Sequence, residues 1–502
     1  MSMILRRLAL AAALAATATA RAEETKLVGY LLGSPPAGLP AVLAALNGKL
    51  KGDLGVSVEI DHIAWSELSS KYPLVLAAGE GVDWIYTADW CQYAQQSARG
   101  AFKELTLEQI RRYMPRHFAA TPAQAWDQAR INGKIYMIPT STPDRKVPVM
   151  LLRGDLRRRY GLPPVRKVSE LGPYLAAVKR GEPGMIPMNL DSGYDVAQPF
   201  GAILNELVPA YTPVQISDNA SGSPFVGEYE DPRRPVHSIL EEPYASAFRT
   251  AAGVMKGWYD RGYLNKNPFA NAVLSRDSFA QGKSAVAFGN SQNIQEALAR
   301  AARAGFEVEI LPLLSRTGTY PADAYTNNGV AVAGSSRNLE KTLQLLDLLM
   351  EDPAYDDLVY FGVEGANWQA TADGHIGLPP GVTPEGNTYP PDAAGFWFTN
   401  KDLFRPLSSW SPAYVALRAR VRGMLYASSF TGYTFAPDRV KTEVANLAQG
   451  WMQYAYPLYV GAVPSVERSY ANLARKLRAA QIDKVQAEIR SQVAAFSAAQ
   501  PR

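Results

Sequence analysis

Val82-Asp83-Trp84-Ile85-Tyr86-Thr87-Ala88-Asp89-Trp90, with Tyr93 just beyond it, is the stretch on which the fold turns. Its apolar first half reads as a short buried strand. Its second half reads as the loop leaving that strand, with a carboxylate and amphipathic aromatics. Open α/β sheets bind their ligands outside the carboxyl ends of the strands. An Asp beside a Trp at such a place suits a sugar: the carboxylate accepts hydrogen bonds from hydroxyls and the ring stacks on the apolar face of a pyranose. The same pair also serves elsewhere as a cap and a core plug, so its setting in the chain has to decide.

Working outward, Lys26 to Leu32 predicts a strand that stops at Gly33-Ser34. Leu39, Val42, Leu43 and Leu46 recur at helical spacing, with Asn47-Gly48 as the expected end. Val56 to Ile63 alternates as a strand, Trp65 to Leu76 reads as a helix, and Asp83 to Thr87 follows as the next strand. A β-α-β-α-β order predicts a parallel sheet with right-handed crossovers. Ile131 to Pro139 reads as a hairpin-like turn leading into an extended crossing segment, and Pro143 and Pro148 mark a boundary. A second α/β unit starts at Val149 to Leu152. It includes a helix from Val168 with Ser169 as N-cap, strands at Met185 to Met188 and Val308 to Leu313, and a helix end, Gly turn and strand over Phe279 to Phe288. Asn328 to Ala333 is a second extended crossing. It feeds a helix with the face Leu339, Leu343, Leu346 and Met350, and a long amphipathic helix through Ile482, Val485, Ile489, Val493 and Phe496 closes the chain.

The ends and the composition narrow the function. Arg6 and Arg7, an Ala/Leu-rich run from Leu8 to Ala20, and Ala20-Arg21-Ala22 form the pattern of a cleavable export signal, with cleavage expected near Ala22. No Cys follows that could carry a lipid anchor, so a soluble product in the periplasm is expected. Removing Arg6, Arg7 and Arg21 takes the formal charge from +4 to +1. A near-neutral chain lacks the clustered Lys/Arg that nucleic acid demands. Cys91 is the single cysteine, so no internal disulfide forms. The tempting motifs fail on inspection. Gly282-Lys283-Ser284 has Asp277 where a phosphate loop needs its first Gly, and His62, His117, His237 and His375 have no paired spacing. No cofactor or metal is expected.

The order of features resembles the extracellular solute-binding proteins of ABC importers, the maltose- and oligosaccharide-binding group. The resemblance rests on DWIYTADW (83–90), NGKIYMIP (132–139), LRGDLRRRYGLPPVRKVSEL (152–171), FAQGKSAVAFGN (279–290) and NNGVAVAGSSRNLEKTLQLLDLLMEDP (327–353). GVEGANW (362–368), SSFTGYTFAPDRVKTEVANL (428–447) and the last helix are similar to the LipO-like branch, which carries an extended C-terminal region. The resemblance implies an α/β fold of type II with two lobes and a cleft between them. It implies lobe 1 over 23–142 and 327–361, lobe 2 over 143–326, and a C-terminal helical region, 362–502, mainly with lobe 2. Hinge closure would trap the ligand.

The implied role is a non-enzymatic monomer. It would bind an oligosaccharide or similar polar solute and deliver it to an ABC permease in the inner membrane. Asp89 matches the acidic position that holds sugar hydroxyls in relatives, with Trp90 and Tyr93 beside it. Tyr194 matches a stacking aromatic of the second lobe. Asn290 and Gln292 follow Phe288 where relatives often carry a Trp. Thr140 and Ser141 sit at the hinge end of the first crossing, and Glu364 and Trp368 on a Gly-flanked loop. Trp397 and Trp410 suit either the core or the cleft. Two other classes stay open: an exported carbohydrate-active enzyme, and a ligand sensor for a membrane receptor.

Overall fold

The computed structural model describes residues 24–78, 81–209, 211–216, 223–228, 236–428 and 430–499. The expected export signal lies outside them. Among the described residues, no helix is long and apolar enough to cross a membrane. The strands of the two main sheets, in chain order, are β1 (Thr25–Leu32), β2 (Val56–Ile63), β3 (Trp84–Thr87), β4 (Ile138–Pro139), β5 (Pro148–Arg153), β6 (Ile186–Met188), β7 (Ser284–Asn290), β8 (Val308–Pro312) and β9 (Gly329–Val332).

The first sheet has the order β2-β1-β3-β9-β4. β1 pairs in parallel with β2 from Thr25↔Val56 to Leu32↔Ile63, and with β3 at Gly29↔Trp84. A helix at Leu39–Asp53 makes the crossover and buries Leu39, Val42, Leu46 and Leu50. The helix does not end at Asn47-Gly48. Asn47 docks on the edge strand instead, donating to Val58 O at 3.0 Å and accepting from Val58 N at 2.7 Å. Gly29 has no substitute: a Cβ there would fall inside the Trp84 ring. The sheet is not wholly parallel as predicted. β9 returns from the other half of the molecule and pairs antiparallel with β3 and with β4. Such a return needs no crossover helix.

The second sheet has the order β8-β5-β7-β6. Met150 and Leu152 of β5 enter one apolar core and Val149 and Leu151 another, so this strand is covered on both faces. The turn before Gly172–Gly181 is not capped by Ser169. Glu206 accepts from Val168 N at 2.7 Å and Ser169 N at 3.4 Å. A carboxylate from a neighbouring helix takes the place of a local hydroxyl there.

Each sheet has its own hydrophobic core. The first contains Leu27, Trp84, Ile138, Val332 and Leu346. The second contains Leu152, Phe200, Phe248 and Val286, completed late in the chain by Leu447, Trp451, Tyr459, Leu473 and Ile489. Tyr389, Phe396 and Phe398 lie in the region expected mainly with the second lobe, yet they pack in the first core. Edge-on contact of Phe398 with Trp84 at 5.9 Å holds them there. The chain crosses between the halves at 140–147, at 313–328 and again after Phe398. The first two crossings are pinned together where Thr140 donates through N (3.1 Å) and Oγ1 (3.0 Å) to Tyr325 O.

Candidate ligand-binding cleft

The parallel strands β1, β2 and β3 of the first sheet end on one side, and aromatic residues collect there. Trp65 follows β2, Trp90 follows β3, and Trp397 arrives from the late segment. Trp65 stacks on Trp90 at 6.2 Å and on Trp397 at 5.6 Å, while Tyr86 meets Trp397 edge-on at 5.5 Å. Trp90 is fixed by donating from Nε1 to Asn327 O at 2.8 Å. Trp65 keeps 53% of its surface exposed, so a large flat apolar face is offered to solvent.

Asp89 lies beside this platform. Its N–H donates to Thr326 O at 2.9 Å and its Oδ2 accepts from Thr326 Oγ1 at 3.3 Å. Burial pushes the Asp89 carboxyl above the usual carboxylate range, against the pull of Lys146. Burial likewise lifts Asp323 to about 6, with Asp144 and Asp89 adding repulsion and Lys146 opposing it.

Behind these groups the crossings are tied by buried charges. Asp144 Oδ2 accepts from Lys146 Nζ at 2.9 Å and Asn328 Nδ2 at 3.0 Å, and Oδ1 pairs with Lys401. Lys146 also donates to Asn327 Oδ1 at 2.6 Å and lies 3.4 Å from Asp323. Burial alone would raise the Asp144 carboxyl, but the two lysines outweigh it and hold it well below the ordinary range.

A cavity of about 500 Å³ opens between the halves. Asp89, Trp90 and Gln95 wall it from the first half, Asp323 and Asn327 from the second crossing, and Gln198, Asn205 and Tyr211 from the second half. Flat apolar faces combined with carboxylates and amides at a mixed surface can bind a hydroxyl-rich ligand without reacting with it.

Of the residues expected from sequence, Asp89 and Trp90 line this cavity. Tyr93 does not reach it: the side chain is fully buried, donates to Ala129 O, and accepts from Tyr136 N at 3.2 Å. It braces the hairpin Arg130–Ile131/Lys134–Ile135 against the first core. Thr140 and Ser141 are buried in the first crossing. Trp368 closes its own turn by donating to Gly362 O at 2.8 Å, under the Arg405 guanidinium at 4.7 Å. Glu364 is exposed on that turn. Tyr194, Asn290 and Gln292 gather at strand ends of the second sheet, outside the cavity wall. Asn290 Oδ1 is occupied by the amides of Gln292 (2.9 Å) and Asn293 (3.0 Å), and Arg276 lies 5.4 Å from the Tyr194 ring. Trp410 donates to Gln295 Oε1 at 2.6 Å.

Trp65 went unrecognised in the sequence, although Ile63-Ala64-Trp65 repeats the strand-end-then-Trp pattern of Thr87 to Trp90. Asp144 and Lys146 are two residues apart, but Asp323 and Lys401, which complete the cluster, lie far away in the chain, so no local signal marks it.

Residues 429–498 match a domain of unknown function, DUF3502. Over 484 residues the chain is 23% identical to a carbohydrate ABC transporter substrate-binding protein of Streptococcus pneumoniae serotype 4, covering 93% of this chain and 90% of that protein. Among solved structures it superposes on the N-glycan transport solute binding protein NgtS of Streptococcus pneumoniae in complex with Man5GlcNAc. The TM-score is 0.74 at 20% identity, covering 95% of this chain and 100% of that one. It also superposes on the alginate-binding protein AlgQ2 without calcium ion, with a TM-score of 0.68 at 16% identity, covering 94% and 98%. The fold is therefore the two-lobe α/β architecture of solute-binding proteins.

Proposed function

We propose that the protein is the exported solute-binding component of an ABC importer, holding an oligosaccharide between its lobes and passing it to a membrane permease. The observation that carries this is the Trp65–Trp90–Trp397 stack at the strand ends beside Asp89, with Trp90 shared between the stack and the wall of the inter-lobe cavity. The sugar-binding relatives of the same fold support it. NgtS is described with Man1GlcNAc and with Man5GlcNAc. The lobe boundaries near 142 and 326 and the periplasmic location belong to the same proposal. Asp89 and Trp90, which line the cavity, remain the proposed contacts among the sequence-derived candidates, and Trp65, stacked on Trp90, joins them.

One observation favours an enzyme instead: Asp89 and Asp323 are two carboxyls of raised pKa in one cavity. Glycoside hydrolysis uses such a pair across the scissile bond. A thermal-shift screen over neutral and acidic oligosaccharides, followed by mass spectrometry of the recovered hit, separates the two. Ligand at 100 times its dissociation constant stabilises the folded state by about 2.7 kcal/mol. A clear shift with the sugar recovered intact supports binding. Cleaved sugar overturns it in favour of catalysis, and a shift confined to non-sugar solutes overturns the carbohydrate assignment.

A further inference from the structure

Residues 430–435 come late in the chain, far from β2 and β3, which lead to Trp65 and Trp90 of the stack. Yet all six of them line the inter-lobe cavity. The segment is fastened at both ends. Phe430 lies on Gly227 of the short strand Phe225–Glu228, where any Cβ would strike the ring. Tyr433 N donates to Phe430 O at 2.9 Å, and its ring meets Phe496 at 5.6 Å. Beyond it, Ala436 exchanges two hydrogen bonds with the Gln492 side chain, at 3.0 and 2.7 Å.

So anchored on the second half, the segment reaches the first. Gly432 has φ +82, and a Cβ there would land on the Gln128 side chain. Gln128 ends the helix Ala123–Gln128 of the first half, and its Oε1 accepts from Tyr325 N at 2.8 Å in the second crossing. The contact thus joins both halves beside a hinge segment.

The polar atoms here have a common property. Thr431 Oγ1, Tyr433 Oη and Asn205 Oδ1 are shielded from solvent and find no hydrogen-bond partner among the described residues, and all three residues line the cavity. A buried polar group without a partner costs about 1–3 kcal/mol, and native proteins keep few of them. Three on one cavity wall, among Phe430, Phe435 and Tyr211, match a guest that presents both hydroxyls and apolar ring faces.

We propose that residues 430–435 form a strap that completes the oligosaccharide cleft: Thr431 and Tyr433 bond hydroxyls of the ligand, and Gly432 rests on Gln128 to brace the lobes in their closed arrangement. The ligand identity rests on the carbohydrate function proposed above. The strap extends the site from Trp90 to Tyr433, so the guest is longer than a single sugar ring.

The test has two arms on the mature chain. In the first, calorimetric titration with neutral di- to heptasaccharides compares wild type with Tyr433→Phe and Thr431→Val, which remove only the polar atom or its equivalent. Each weakens the tightest binder by roughly three- to tenfold, with the ligand-free unfolding transition unchanged or raised. In the second arm, X-ray scattering of ligand-free protein compares wild type with Gly432→Val and with Gln128→Ala, the latter removing the contact from the opposite lobe. Both enlarge the radius of gyration. Unchanged affinities for a sugar that wild type binds overturn the hydroxyl contacts, and unchanged scattering in both variants overturns the brace. If wild type binds no sugar in the panel, the carbohydrate function fails, and the scattering arm alone still decides whether the strap joins the lobes.

Discussion

Replacing Asp144 by Asn breaks the charge cluster that ties the crossings together. Asp144 is only 5% exposed, and it faces Lys146 (23%) and Lys401 (19%). Losing one partner of a buried pair costs about 3–5 kcal/mol, because the remaining charge stays desolvated. The lower end applies here. Lys146 retains Asp323 at 3.4 Å, and Asp392, lifted to about 7 mainly by burial, lies within reach of the Lys401 field. We therefore expect a loss of about 3 kcal/mol in urea unfolding at neutral pH. Adding Lys401→Met should restore part of it, with a coupling of about 1 kcal/mol or more in the double-mutant cycle. The pH dependence has a definite sign. The Asp144 carboxyl titrates below its ordinary 3.8 in the folded state. Its contribution is thus present above that value and lost as pH falls through the lower folded one, so the stabilities of wild type and variant converge in strong acid. A loss under about 1 kcal/mol, or strict additivity with Lys401→Met, would refute a desolvated cluster and mean the charges are screened by water.

The other expectations concern the cleft and its supports. Asp89→Asn should weaken sugar binding in calorimetry by about tenfold or more while leaving the ligand-free melting point nearly unchanged, and a large fall would make it structural. Trp90→Ala should weaken binding comparably and also lower the melting point, since it gives up the stack on Trp65 and the bond to Asn327 O, and unchanged affinity would remove it from the site. Tyr93→Phe should lose about 1 kcal/mol of stability through the missing bond to Ala129 O, yet bind ligand like wild type. Asp323 is raised to about 6 in the folded state, so its contribution is present below its ordinary 3.8 and lost as pH rises through about 6. Asp323→Asn should therefore flatten the decline in stability between about pH 4 and pH 7, by up to about 3 kcal/mol; an unchanged slope in unfolding titrations would count against a buried, proton-holding Asp323.

Local periodicity determined most of the elements. β1, β2 and the helix face at Leu39, Val42 and Leu46 follow from side-chain spacing alone, since a buried stripe needs that spacing wherever it lies. Strand ends followed by Asp89 and Trp90 were legible for the same reason: a strand's end and its loop residues are neighbours in the chain. Single hydrogen bonds decided the misreadings. Asn47 has the look of a helix stop but docks on Val58, Ser169 looks like a cap but yields to Glu206, and Tyr93 looks like a cleft aromatic but bonds Ala129 in the core.

Only the tertiary structure could bring together Asp144, Lys146, Asp323 and Lys401, or carry residues 430–435 across to Gln128. It also set the antiparallel return of β9 and drew Trp397 onto Trp65. The physical reason is one of range. Propensity and amphipathic period act over a few residues, whereas charge pairing, ring stacking and cavity walls are set by which distant segments the packed cores bring within a few ångströms of each other.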